Sequence, residues 1–351
     1  MKIAALLAVA ALAGSAAKSS TPRLDAFVLL GNGRIVKLDV ASGRIAVRRV
    51  LGTTPRVLPG HGDMLVVDGS RVYALVPTRP QTLVVTDRAL RVKSKTRLPA
   101  SVVYRGVVRA DGTTYAFGYR PGRIIDPGSG ERESDAVVTR IEPGEPVQSS
   151  TTRKANGQDW WEFSGAVSTD GARLALSYHG STSGADLIDL SLPELHPGCA
   201  VDSPGVYLGC YPQVHGVIRA YGNGWLATTG GQQLVRLDWK GEWMGEIDSG
   251  FRNEHLMSLA VDARRGVAFS LATCYYGREG LRTISIDAAS SRLVRRAPCG
   301  NDLSLGPGAT LLAVESADAS AGTSVIALSR STGRVLHRWR LSGYVVAVAG
   351  A

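Results

Sequence analysis

The chain has 351 residues, 44% of them hydrophobic, with 40 Lys plus Arg against 30 Asp plus Glu and a net charge of +10. So much apolar material excludes a disordered chain, and no apolar run beyond the N-terminus approaches the ~20 residues that cross a bilayer as a helix. Seven of the basic residues are lysine, and the arginines fall along the whole chain; the longest clusters are pairs, such as Arg48-Arg49 and Arg295-Arg296. Such scatter predicts a solvated surface and no specific nucleic-acid partner, with attraction to anionic polymers as an unspecific consequence.

In chain order, the first element is a leader. Lys2 supplies a positive charge, Ile3 to Gly14 an apolar run, and Ser15-Ala16-Ala17 the small residues that a signal peptidase needs. The run is too short to span a membrane. Residues 1–17 are therefore expected to be a cleaved secretory signal, and residues 18–351 the mature protein, secreted or otherwise extracytoplasmic. Cysteine usage agrees with export: Cys199, Cys210, Cys274 and Cys299 are an even set. Local pairing, Cys199 with Cys210 and Cys274 with Cys299, is the simplest of the three disulfide connectivities. No Cys-x-x-Cys-His occurs, which excludes covalently attached c-type haem.

Short β-rich runs follow, separated by Gly, Asp, Ser and Pro. A recurring pattern joins two of them through a Ser/Thr-Gly-Arg turn. Ile35-Val36-Lys37-Leu38-Asp39-Val40-Ala41-Ser42-Gly43-Arg44-Ile45 is one copy, and Val325 to Val335 another with Thr332-Gly333-Arg334. Ile284 to Leu293 is a degenerate third. A second device pairs an apolar strand with its successor through Asp-Gly or Asn-Gly, as at Asp111-Gly112, Asp170-Gly171 and Asn223-Gly224, where positive φ angles close two-residue turns. The first strands of these pairs fall near 62–67, 104–109, 164–168, 214–219, 257–262 and 302–306. Asp25 to Leu30 looks like a second strand with no first, and Tyr344 to Ala349 like a first strand with no second. Together they complete a seventh unit. The prediction is an all-β chain forming a single seven-bladed β-propeller of four-stranded antiparallel blades, at ~47 residues per blade, with the C-terminal strand pairing the N-terminal one to close the ring. The divergent stretch 119–160 leaves room for an eighth blade.

The copies at 35–45 and 325–335 resemble the YVTN-type repeat of secreted propellers, which fall among the quinoprotein-amine-dehydrogenase-like and WD40-like seven-bladed folds. The resemblance implies fold and not chemistry, because the amine-dehydrogenase propeller subunits do not themselves carry the quinone.

In a propeller the loops leading into the inner strands converge on the mouth of the central channel. Those positions hold Arg56, Tyr104, Arg105, Trp161, Glu162, Gln213, His215, Glu254, His255, Asn301, Asp302 and Tyr344. Arg and His as donors and Trp as a stacking face suit a small polar or anionic ligand, or a protein segment. No cofactor is expected, although Glu162, Asn253 and Asp302 are oxygen donors that a Ca²⁺ ion could take, with His215 or His255 as base for a metal-activated water. Three readings follow: a monomeric binding or scaffold module outside the cytoplasm, a metal-dependent hydrolase or lyase of lactonase type, and the propeller subunit of a dehydrogenase whose cofactor sits on a partner chain.

Overall fold

A computed structural model describes residues 24–53, 63–128, 131–157, 162–180, 184–193, 195–197, 214–229, 233–250, 258–271, 280–295, 302–315 and 324–351. The leader and all four cysteines lie outside them. Strands β1 (Asp25–Leu30), β2 (Arg34–Asp39) and β3 (Arg44–Val50) open the first blade. Blade 2 is β4 (Leu65–Asp68), β5 (Arg71–Val76), β6 (Thr82–Asp87) and β7 (Val92–Arg97). Blade 3 is β8 (Val103–Ala110), β9 (Thr113–Asp126), β10 (Glu131–Ile141) and β11 (Gln148–Gly157). Blade 4 is β12 (Glu162–Val167), β13 (Arg173–Gly180), β14 (Gly184–Ser191) and the two-residue β15 (His196–Pro197). Blade 5 is β16 (Val214–Tyr221), β17 (Gly224–Thr229), β18 (Gln233–Asp238) and β19 (Trp243–Asp248). Blade 6 is β20 (Leu259–Asp262), β21 (Val267–Leu271), β22 (Leu281–Ser285) and β23 (Ser290–Arg295). Blade 7 is β24 (Asp302–Leu305), β25 (Thr310–Glu315), β26 (Ser324–Ser329) and β27 (Val335–Arg340). Strand β28 (Val345–Gly350) returns to blade 1.

The result is a seven-bladed, all-β propeller closed as the sequence predicts. The first sheet runs β28-β1-β2-β3, with Ala26 opposite Gly350 and Val28 opposite Val348. No eighth blade is hidden in 119–160. That stretch looks divergent because β9 and β10 are long, continuing as a paired ribbon from Tyr119 opposite Ala136 out to Asp126 opposite Glu131.

The recurring Asp and Gly have a physical cause. Asp39 Oδ1 accepts hydrogen bonds from the backbone N–H groups of Ala41 (3.0 Å) and Ser42 (3.3 Å), and Gly43 closes the turn by donating to the Asp39 carbonyl at 2.9 Å. Gly43 has φ +70°, which a side chain disfavours. Serine and amide donors hold the Asp39 carboxyl below its usual range, the Ser42 hydroxyl first among them. Blades 2 and 5 use the same device at Asp87 and Asp238, each taking two backbone N–H groups.

Between blades the core is continuous apolar packing. Blades 7 and 1 share a cluster that includes Val28, Val36, Leu312, Val325 and Trp339, and a larger cluster runs from blade 1 through blade 2 into blade 3. Gly106 and Gly165 lie against the ring of Phe117; a Cβ on Gly106 would stand 2.1 Å from it and one on Gly165 2.6 Å. Two small residues thus let the first strands of blades 3 and 4 close on one aromatic wedge. Buried beside the ring-closing pair, Lys37 Nζ stands 2.7 Å from Asp25 Oδ2, with both side chains about 8% exposed or less. The same ammonium donates to the Arg88 carbonyl at 3.1 Å, joining blade 1 to blade 2.

Candidate functional site

The first strand of every blade contributes to one cavity of about 550 Å³ along the central axis. Its walls are mostly Gly, Ala, Val and Leu: Leu65, Val107, Ala166, Ala260, Leu303 and Val348 are typical. Because each first strand is the last member of its sheet, its outer N–H and C=O groups face the axis without a ladder partner. Such groups need other partners once out of bulk water.

A polar cluster supplies them. Asp63, just ahead of β4, accepts from the Ser164 hydroxyl (2.9 Å) and the Gly165 N–H (3.1 Å) on its Oδ2. Across the channel Arg219 of β16 takes the same carboxylate in a fork, Nη2 to Oδ1 at 3.0 Å and Nη1 to Oδ2 at 3.3 Å. Arg219 Nη1 also donates to Ser164 Oγ (3.0 Å) and to the Ile218 carbonyl (2.8 Å). Ser164 Oγ in turn accepts the Ile218 N–H at 3.3 Å, and the Asp63 carbonyl accepts the Val107 N–H at 2.8 Å. One carboxylate, one guanidinium and one hydroxyl therefore fasten blades 2, 4 and 5 to one another, and the Asp63 backbone carbonyl adds blade 3. A bidentate Arg–carboxylate pair is the geometry in which an ion pair holds most firmly.

Asp302, the first residue of β24, projects into the same space and accepts the Val348 N–H at 3.3 Å on Oδ2. Its environment differs from that of Asp63. Burial pushes its carboxyl up to about 7, the charge of Asp63 adds to the rise, and Arg219 with the Val348 and Leu303 amides works against it. The residue is half-buried and lines the channel. Near pH 7 it is poised between acid and carboxylate. Asp63 and Arg219 neutralise each other's charge, whereas the Asp302 carboxyl has no cation in ion-pair contact among the described residues and accepts one amide, so it keeps acceptor capacity open to the channel.

Among the described residues that the sequence placed at the mouth, Asp302 joins this cluster. Tyr104 is fully buried, its hydroxyl bonded to Thr139 Oγ1 at 2.7 Å and its backbone clasped by Gln81 (2.6 and 3.0 Å); burial pushes its hydroxyl up. It belongs to the core between blades 2 and 3. The cause is local. The β8–β9 register slips between Tyr104 and Gly106, leaving Arg105 as the extra residue of a bulge that re-aims its neighbours. Arg105 is 6% exposed, its guanidinium 5.8 Å from the centre of the Tyr119 ring. Its charge also reaches Tyr344, whose hydroxyl burial pushes up and Arg105 draws back down. Arg105 and Tyr344 thus sense each other electrostatically, and neither lines the channel cavity. Arg56, Trp161, Gln213, Asn253, Glu254, His255 and Asn301 lie outside the described residues, while Glu162 and His215 are fixed only as members of β12 and β16. Among the described residues no group of three His, Cys, Asp or Glu side chains could hold a metal ion.

Asp63, Ser164 and Arg219 carry the site, and the mouth-loop reading did not select them. A signal for Arg219 was present: it stands between Ile218 and Ala220 in an otherwise apolar first strand, where a charge requires a partner.

No protein-family model matches the chain, and no curated protein matches it in sequence. Solved structures do match in fold. The chain is similar to Citrobacter koseri AztD, at 11% identity and a TM-score of 0.54 over 93% of this chain and 96% of that one. It is similar to a candidate 6-phosphogluconolactonase from Bacteroides uniformis, at 13% identity and 0.57 over 93% and 99%. It is also similar to the dihydro-heme d1 dehydrogenase NirN in complex with DHE, at 12% identity and 0.52 over 93% and 75%. At these identities the likeness shows the propeller fold.

Proposed function

We propose that this chain is an exported, monomeric binding module of the YVTN-type, quinoprotein-amine-dehydrogenase-like group, and that its axial channel takes a small ligand bearing a cationic or multiply donating group. The observation that carries the reading is the asymmetry of the channel cluster. Asp63 and Arg219 neutralise each other, whereas Asp302 keeps open acceptor positions and has lost much of its hydration. A ligand ammonium placed there replaces the missing hydration and relieves the repulsion from Asp63, so it favours the ionised carboxylate. The sequence expectation is a small polar or anionic ligand or a protein segment; the described channel cluster, with two carboxylates to one guanidinium, favours a polar ligand of the cationic kind. Export rests on the leader at residues 1–17, and N-terminal sequencing of the secreted protein should begin at residue 18.

The test is thermal melting at pH 8 with 1,4-diaminobutane, glucose or succinate added, on the native chain and on Asp302→Asn. The diamine should raise the melting temperature of the native chain and leave the variant unmoved. A response to succinate instead, or a diamine response that survives in the variant, would refute the reading. The fold likeness to a lactonase candidate makes metal-dependent hydrolysis the second reading, with Glu162, Asn253 and Asp302 as the ligand set. Elemental analysis before and after a chelator addresses it: one equivalent of calcium whose removal lowers the melting temperature would replace the amine reading with this one.

A further inference from the structure

The perimeter of the ring is built from the fourth strands of the blades, and their charge is unevenly distributed. In blades 6, 7, 1 and 2, which are consecutive round the ring, the fourth strand carries basic side chains and no acidic one, and β11 of the next blade continues this composition with Arg153 and Lys154. Strand β23 reads Ser-Ser-Arg-Leu-Val-Arg, β27 Val-Leu-His-Arg-Trp-Arg, β3 Arg-Ile-Ala-Val-Arg-Arg-Val and β7 Val-Lys-Ser-Lys-Thr-Arg. Every Lys and Arg in these four strands is exposed. The fourth strand of blade 5, β19, carries Glu246 and Asp248 instead. Lys93 pairs with Asp87 at 3.2 Å and Arg338 with Glu315 at 2.8 Å. Arg48, Arg49, Arg97, Arg292, Arg295 and Arg340 form no ion pair among the described residues.

These four strands are physically joined. Gly333, in the turn before β27, packs so closely on β23 that a Cβ there would lie 3.0 Å from both Arg295 and Val294. Trp339 of β27 donates its Nε1–H to the Gly43 carbonyl, in the turn before β3, at 2.8 Å. Lys95 of β7 donates to the carbonyl of Leu51, just past β3, at 3.1 Å. Arginines that are scattered in the sequence therefore form one continuous cationic belt over four of the seven blades.

We propose that this belt is a docking surface for a linear anionic polysaccharide. The belt follows a curved rim, which a flexible polymer can track over all four blades and a planar bilayer can touch over one or two. Guanidinium forks match carboxylate and sulfate groups bidentately. Single-stranded nucleic acid would call for exposed aromatic faces between the cations. The large exposed apolar side chains on these strands are aliphatic, Val47, Val50, Leu293 and Leu336, and Trp339 is 4% exposed.

The experiment measures binding of the full chain to heparin, single-stranded DNA and anionic phospholipid vesicles as a function of salt. It compares the native chain with two fourfold charge reversals of equal net charge. One alters the belt (Arg48→Glu, Arg49→Glu, Arg97→Glu, Arg340→Glu) and the other exposed positions elsewhere (Arg71→Glu, Arg79→Glu, Lys240→Glu, Arg264→Glu). The belt reversal should weaken heparin binding on the order of tenfold or more and flatten its salt dependence, against less than threefold for the control. Equal losses in both variants, or tighter binding of DNA or vesicles than of heparin by the native chain, would overturn the proposal. If the belt reversal fails to fold, the same four positions changed to Gln supply the comparison.

Discussion

The arginines at the joints of this propeller and those on its rim are the same residue in opposite situations. Arg219 spends its guanidinium on Asp63, Ser164 and a carbonyl, binding one blade to others across the axis. Arg330 is similarly occupied, with Asp262 at 3.0 Å and the Gly306 and Thr310 carbonyls at 2.9 Å each. Arg109 lies 4.4 Å over the Tyr73 ring and 3.2 Å from Asp68, so it ties blade 3 to blade 2. Arg48, Arg49, Arg97 and Arg340 on the fourth strands have no such partners among the described residues. Position within the blade decides the outcome. A charge near the axis or at a joint is consumed by the fold, whereas the fourth strands keep arginines such as these available to whatever approaches from outside.

Three substitutions sharpen that contrast. The largest effect is expected from Asp25→Ala, which leaves the buried Lys37 ammonium without its counter-charge beside the ring closure; unfolding in denaturant should show a loss of about 4 kcal/mol. Next comes Asp302→Asn, and here the sign is opposite. An acid whose native pKa stands near 7, against 3.8 when free, holds a proton in the folded state that the unfolded chain has already released. Its contribution therefore becomes unfavourable as pH rises from about 4 to about 7, and stays so above. The Asn variant should melt with the native chain at pH 4 and be more stable by on the order of 2 kcal/mol at pH 8, roughly half of what the full shift implies because the residue is half-buried. A melting-temperature difference that is flat in pH would contradict this account. The smallest effect is expected at the rim, where Arg338→Ala should change stability by less than about 0.5 kcal/mol, since the Arg338–Glu315 pair is solvent-screened.

The fold was legible because it is local and repeated. Six first strands were marked by short apolar runs before tight turns, and the orphan strands at the two ends identified the shared seventh blade. Two copies of the turn motif escaped notice. In blade 2 the turn is one residue shorter and its positive-φ residue is Leu90 (61°), which donates to the Asp87 carbonyl as Gly43 does to that of Asp39, so the glycine marker is missing although Asp87 also gathers two backbone amides. In blade 5, Lys240-Gly241 stands where a Ser-Gly or Thr-Gly pair was expected. The site was less legible because its contacts are long-range. Asp63 and Arg219 meet across the axis from 156 residues apart, which no spacing rule registers. Tyr104 was misplaced by the bulge at Arg105, a one-residue slip that turns a mouth position into a core position. The rim belt was invisible for the same reason as the channel pair: only the ring makes neighbours of β23, β27, β3 and β7.

The pairing of β28 with β1 also bears on how the molecule folds. Every other blade is assembled from consecutive strands and can form as soon as its own segment is available. Blade 1 must wait for residues more than 300 positions away, as the Ala26–Gly350 register requires. The entropy of closing so long a loop rises only logarithmically with its length, so this joint is inexpensive at equilibrium. Kinetically it is the most non-local event in the chain, and folding rates fall as contacts become less local. The closing strand should therefore dock last and set the rate, and until it docks the inner edge of β1 remains open to pairing with a strand from another molecule.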